Sequence, residues 1–125
     1  MNHLENFGIG IDIVNVERFK KKPYNSNQSF YKKIFHYSEI KYCLKFKNSH
    51  EHFAGKFALK EAVIKSVSEP LLLLNIKTSS SHSKPKVTLI GKNINNYKFI
   101  ASISHEKHLA ISVVISQKFI RKPKS

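Results

Sequence analysis

The sequence predicts an α+β fold: a small antiparallel sheet packed against one long helix, with shorter helices beside it. Three observations lead there. A run near the N-terminus alternates β-branched and small residues. A stretch from His50 to about Ser68 keeps helical periodicity without a break. The second half divides into four β-rich runs separated by polar turns. Helices in one block and strands mostly in another favour antiparallel pairing over crossover units. The 125 residues suit a single domain, residues 1–125, whose core can fold without staples.

In chain order, FGIGIDIVNV predicts a strand from Phe7 to about Val14. Phe7, Ile9, Ile11 and Ile13 lie on one face and Gly8, Gly10 and Asp12 on the other. Two glycines on one face leave room there for a backbone or a ligand. Asn15 caps a short turn over Glu17–Lys20, and a polar loop with Pro23 runs to Gln28. Ser29–Phe35 reads as a short helix. Ser38 reads as the N-cap of the next, with Glu39 in its first turn and Ile40, Cys43, Leu44 and Phe46 as its apolar residues. The long helix carries Phe53, Phe57, Ile64 and Val67 as an apolar stripe. Ala54, Ala58, Glu61 and Lys65 fall on a neighbouring face, and Pro70 stops it. Strands are expected at Leu71–Lys77, Pro85–Ile90, Phe99–Ser104 and Leu109–Ser116. A Ser-rich loop fills Thr78–Lys84, a polar turn Lys92–Lys98, and a basic frayed tail begins at about residue 118.

Charge narrows the function. Lys and Arg number 22 against 8 Asp and Glu, a net +14, and arginine occurs only at Arg18 and Arg121. Lysine meets phosphate as a point charge, whereas base-edge readout favours arginine. The surplus therefore fits an acidic protein or a phosphate ligand at least as well as DNA. The longest apolar run, Leu71–Leu74, is far short of a membrane span, and Met1–Phe7 carries Glu5 and no signal-peptide core. A cytoplasmic protein without membrane or nucleic-acid partners is expected. Cys43 is the only cysteine, which excludes an internal disulfide and a multi-cysteine zinc site.

Few residues can do chemistry. Asp12 is the only aspartate and sits in an apolar strand, where it either caps the next turn or holds a cation. Glu61 either pairs with Lys65 one helical turn on or serves as a second carboxylate for a hard divalent cation. His105 follows a strand at a hairpin mouth and is either a surface histidine or a site residue. His105 and His108 have no helical geometry to align them on zinc, and Gly8 and Gly10 lack the rest of a dinucleotide fingerprint.

GIGIDIVNVERF and FAGKFALKEAVIK, with SKP at Ser83–Pro85, SISHEKHLAISVVI from Ser102 and KKIFHYSEIKYC from Lys32, resemble the holo-acyl-carrier-protein synthase group of 4′-phosphopantetheinyl transferases. They occur in the family's order from about Phe7 to Ile115. The resemblance implies the phosphopantetheinyl transferase fold. The implied activity moves the 4′-phosphopantetheine group of coenzyme A to a serine of acidic apo-acyl carrier protein, releasing adenosine 3′,5′-bisphosphate. Asp12 and Glu61 fall on its Mg²⁺ ligands, Lys65 on its active-site lysine and Arg18 on a carrier-docking residue. Lys56, Lys84, Pro85 and His105 match positions near the nucleotide part of coenzyme A. The general base is Glu61 or a water held by the cation. Family members are homotrimers with sites between protomers, and they serve fatty acid biosynthesis.

Four departures stand out. Lysine replaces the usual arginine at Lys33 and Lys56, which loses bidentate phosphate geometry. SVSEPLLLL after the long helix has no glycine, so that loop takes another path, and Ser83 replaces the usual glycine before Lys84. Two other readings remain. One is a small basic RNA-binding domain with Tyr97 and Phe99 as its stacking residues; the other is a catalytically inactive relative.

Overall fold

The computed structural model describes residues 6–91 and 96–119. Of the expected turn at Lys92–Lys98, residues 92–95 lie outside them while Tyr97 and Lys98 open a strand, and the tail from Arg121 to Ser125 also lies outside. The elements in order are β1 (Phe7–Asn15), α1 (Glu17–Lys20), a 3₁₀ turn, α2 (Gln28–Lys32), α3 (Tyr37–Leu44) and α4 (Ser49–Ser66). A second 3₁₀ turn leads to β2 (Ile76–Ser81), β3 (Lys84–Leu89), β4 (Tyr97–Glu106) and β5 (Leu109–Lys118). One antiparallel sheet has the order β1-β5-β4, and β2 and β3 form a separate hairpin.

α4 is the central element. Every residue from Phe53 to Val63 except Glu61 is buried, so this helix is enclosed on nearly all sides rather than along one stripe. Its first half packs under α1–α3 in an aromatic nest. Phe19 lies with its ring centroid within 6.3 Å of Phe30, Tyr31, Phe35, Phe53 and Phe57. Tyr31 donates its hydroxyl to the Lys22 carbonyl at 2.5 Å, which ties α2 to the loop after α1. The second half of α4 packs Leu59, Ala62 and Val63 against Ile76, Leu89 and Val114.

Several boundaries differ from expectation, each for a local reason. α3 starts at Tyr37, because the Glu39 carboxylate reaches back to the His36 N–H at 2.7 Å and closes the first turn there. The strand expected at Leu71–Lys77 begins only at Ile76, because Asn75 Oδ1 accepts the Leu72 N–H at 2.9 Å and curls Leu73–Asn75 into a 3₁₀ turn. The Ser-rich segment is strand, with Ile76 and Thr78 inward, paired to Leu89 and Val87. Its hairpin turns on His82 and Ser83 at φ 51° and 66°, the left-handed pair that matches strand twist. The loop after α4 needs no glycine: Val67 is already extended at φ −109°, ψ 155°, and no residue from Val67 to Asn75 has a positive φ. Lys118 does not fray; it ends β5 opposite Tyr97 and forms an ion pair with Glu69. Tyr97 and Phe99 stack on each other and, partly buried, pack against the core.

Candidate active site

β1 lies on α4 closer than side chains permit. A Cβ at Gly8 would fall 1.8 Å from the Ser66 carbonyl oxygen, and one at Gly10 would fall 1.9 Å from that of Ala62. The glycines are there because backbone meets backbone. At Gly8 and Gly10 this face is therefore filled by the chain's own helix and leaves no room for a ligand. Asp12 comes next on that face, and the close seam brings it within reach of α4. Lys65 Nζ donates to Asp12 Oδ1 at 3.0 Å and to the Ile11 carbonyl at 3.1 Å. Of the two readings of Glu61, the pair with Lys65 is not formed: among the described residues Glu61, one turn before Lys65, has no ion pair.

The donor set here fits a hydrated divalent cation. Asp12 and Glu61 carry hard oxygen donors, and no cluster of three or more His, Cys, Asp or Glu occurs among the described residues. Two carboxylates completed by water and substrate phosphate suit Mg²⁺ better than a closed protein cage does. Ser112 stands directly opposite Asp12 in the β1–β5 ladder, fully buried, and its hydroxyl has no partner. Polar capacity around Asp12 is thus not used up by the protein.

A second group gathers elsewhere. Lys56, Pro85 and His105 line one cleft of about 80 Å³ with Tyr42, His52 and Ser80. Gly55 lets β4 close over the helix: its missing Cβ would lie 3.2 Å from His105 Nε2. That nitrogen is 3.2 Å from the Glu51 carbonyl, which can only accept, so Nε2 carries the proton. The His52 ring stacks on Phe46 at 3.7 Å; burial, then the neighbouring His105, holds its pKa below the usual histidine value. Lys84 is exposed at the hairpin turn beside Pro85. Arg18 is exposed on α1 with its guanidinium 5.1 Å over the Phe57 ring.

These two groups do not face each other within one chain. At ~100° per residue on a 3.6-residue turn, Glu61 projects about 140° and Lys65 about 180° around α4 from Lys56. Meanwhile the outer face of the sheet is bare: Ile9, Ile11 and Ile13 are 69, 61 and 58% exposed, with Ile100 and Ile115 beside them. A contiguous apolar face of this kind marks an interaction surface.

The sequence did not reveal a buried ion pair under the cleft. Lys60 Nζ lies 2.7 Å from Glu39 Oε1, and both side chains are fully buried. Burial raises the Glu39 pKa, but the hydrogen bonds from Lys60 and Thr78 outweigh it and leave it lowered from 4.5. Burial pushes Lys60 below its usual value, and Lys56 likewise. The available signal was a lysine flanked by apolar residues in mid-helix. Cys43 is inert, its thiol pushed up to about 12 by burial.

Known proteins share this architecture. The family described as the 4′-phosphopantetheinyl transferase superfamily matches residues 8–114. The holo-[acyl-carrier-protein] synthase of Thermodesulfovibrio yellowstonii is 40% identical over 111 residues, covering 86% of this chain and 96% of that one. The Helicobacter pylori holo-[acyl-carrier-protein] synthase, solved in complex with coenzyme A, superposes with a TM-score of 0.74 at 37% identity, covering 87% of this chain and 99% of that one. The Bacillus anthracis enzyme, solved with CoA (3′,5′-ADP), gives 0.75 at 28% identity over 90% and 96%.

Proposed function

The chain belongs to the 4′-phosphopantetheinyl transferase superfamily, and from that membership we propose that it is a holo-acyl-carrier-protein synthase. It transfers the 4′-phosphopantetheine of coenzyme A to a serine of apo-acyl carrier protein and releases adenosine 3′,5′-bisphosphate. The observation that carries this reading is the Asp12–Lys65 contact at 3.0 Å, made on the glycine seam within the span that matches the family. The reading puts the reaction in the cytoplasm, in the service of fatty acid biosynthesis; no described helix is long and apolar enough to cross a membrane.

Asp12 and Glu61 would hold Mg²⁺. The cation would neutralise charge on the diphosphate and orient it for displacement. Lys65 sets its ammonium against Asp12, where it can meet charge developing on the leaving phosphate. The serine proton goes to Glu61 or to a water held by the cation. Lys56, Lys84, Pro85 and His105 bind the nucleotide end. Arg18, exposed on α1, meets the acidic carrier. The direct test is a mass gain of one phosphopantetheine on an apo-carrier incubated with this protein, coenzyme A and Mg²⁺. An unmodified carrier under those conditions overturns the reading.

Assembly follows from the same site. The two residue groups lie on opposite faces of α4, and among the described residues β1 is an edge strand with a bare apolar face. A homotrimer that buries this face would bring Asp12 and Glu61 of one protomer to Lys56 and His105 of the next. Light scattering is expected to give three times the 14.4 kDa chain mass. Ile11→Asp is expected to give monomers with at least a hundredfold less turnover. Full activity in a monomer would end the shared-site reading.

A further inference from the structure

Beneath the cleft, Glu39, Lys60, Thr78 and Lys56 are 1, 0, 3 and 7% exposed, and their hydrogen bonds run in one forced direction. Glu39 Oε1 accepts from Lys60 Nζ and from the His36 N–H, each at 2.7 Å. Glu39 Oε2 accepts from the Thr78 N–H at 2.9 Å and from the Thr78 hydroxyl at 2.5 Å. A hydroxyl has one proton. With that proton committed to the carboxylate, Thr78 Oγ1 can only accept from Lys56 Nζ, 3.0 Å away. Lys56 also reaches the Thr78 carbonyl at 3.5 Å and lies 4.9 Å over the Tyr42 ring. The relay therefore starts at a buried carboxylate and ends at a lysine in the wall of the cleft.

We propose that Glu39 and Thr78 are positioning residues for coenzyme A: through the Thr78 hydroxyl, the Glu39 carboxylate holds the Lys56 ammonium charged and aimed at the cleft before the anionic ligand arrives. This rests on the coenzyme-binding role of Lys56 given above. Lys60 alone could neutralise Glu39, and valine would fill the space of Thr78, so packing does not require the hydroxyl. The lysine does. An arginine would bring its own planar fork, whereas an ammonium on a flexible four-carbon stem gains most from being held in place.

The test compares Thr78→Val, Thr78→Ser and Lys56→Ala by steady-state kinetics, varying coenzyme A and carrier separately, with thermal unfolding alongside. Thr78→Val is expected to raise KM for coenzyme A about tenfold, the scale of one hydrogen bond to a charged group. The turnover number and the carrier KM should stay within twofold, and Thr78→Ser should restore the coenzyme KM. An unchanged coenzyme KM in Thr78→Val, with Lys56→Ala raising it, overturns the relay alone. An unchanged coenzyme KM in Lys56→Ala overturns the binding role of Lys56 and the relay with it. Should Thr78→Val fail to fold, NMR of the lysine ammonium groups in the unsubstituted protein decides. A slowly exchanging signal that disappears in Lys56→Ala is expected without coenzyme, and its absence overturns the proposal.

Discussion

Asp12→Asn and Glu61→Gln are each expected to lower turnover by roughly a thousandfold, the scale of losing one preorganised charge at a phosphoryl-transfer site, while leaving the fold intact. Both changes keep side-chain volume. Glu61 has no ion pair to lose, and Asp12 keeps an oxygen for Lys65. Excess chelator is expected to stop turnover in the unsubstituted protein, and Mg²⁺ to restore it. Circular dichroism melts separate lost chemistry from lost structure. Turnover at the full rate in chelator would remove the cation from the mechanism, and wild-type turnover in either variant would remove that carboxylate.

Lys60→Met is expected to cost about 3–5 kcal/mol of stability at neutral pH, because it leaves the Glu39 carboxylate charged, buried and without its counter-ion. The pH dependence has a definite sign. With Lys60 present, the folded-state pKa of Glu39 is lowered, so its contribution is complete above the unfolded value near 4.5 and is lost as pH falls through the lower folded value. Without Lys60, burial acts less opposed and the folded pKa is higher. Protonation then relieves the variant at a pH where the unsubstituted protein has not yet lost stability. The gap between the two should narrow on acidification, measured by urea unfolding from pH 7 to 4. A gap that stays constant would mean Glu39 does not carry the charge assigned to it.

The elements were legible because their signals are local. The alternation from Phe7 to Ile13 gave β1 its extent to within a residue, and the run from His50 with Pro70 beyond it bounded α4 to within two. Thr78–Ser81 was misread as a loop, since serine hydroxyls compete with backbone pairing and only the partner strand Lys84–Val87 settles that contest. The choice of face on β1 was also not local. Alternation separates Ile9, Ile11 and Ile13 from Gly8, Gly10 and Asp12, but it does not say which set is covered. The structure covers the glycines, because α4 arrives backbone-first, and leaves the isoleucines bare.

By itself, the sequence determined the fold class and the order of the elements, and its resemblance to the family singled out Asp12, Glu61, Lys65, Lys56, His105 and Arg18 as the residues proposed to bind a cation, a phosphate or an acidic partner. Hydrophobic periodicity carries the elements, and the family motifs carry the residues. Only the tertiary structure decided that Lys65 turns to Asp12 rather than to Glu61, and that Lys60 is buried against Glu39. It also decided that Thr78 links Glu39 to Lys56 and that Pro85 and His105 come to Lys56 in one cleft. The first three are contacts between residues 21 to 53 positions apart. No periodicity encodes such pairs; they exist because the glycine seam and the aromatic nest fix where α4 sits, and its lysines then take the nearest oxygen that burial leaves them.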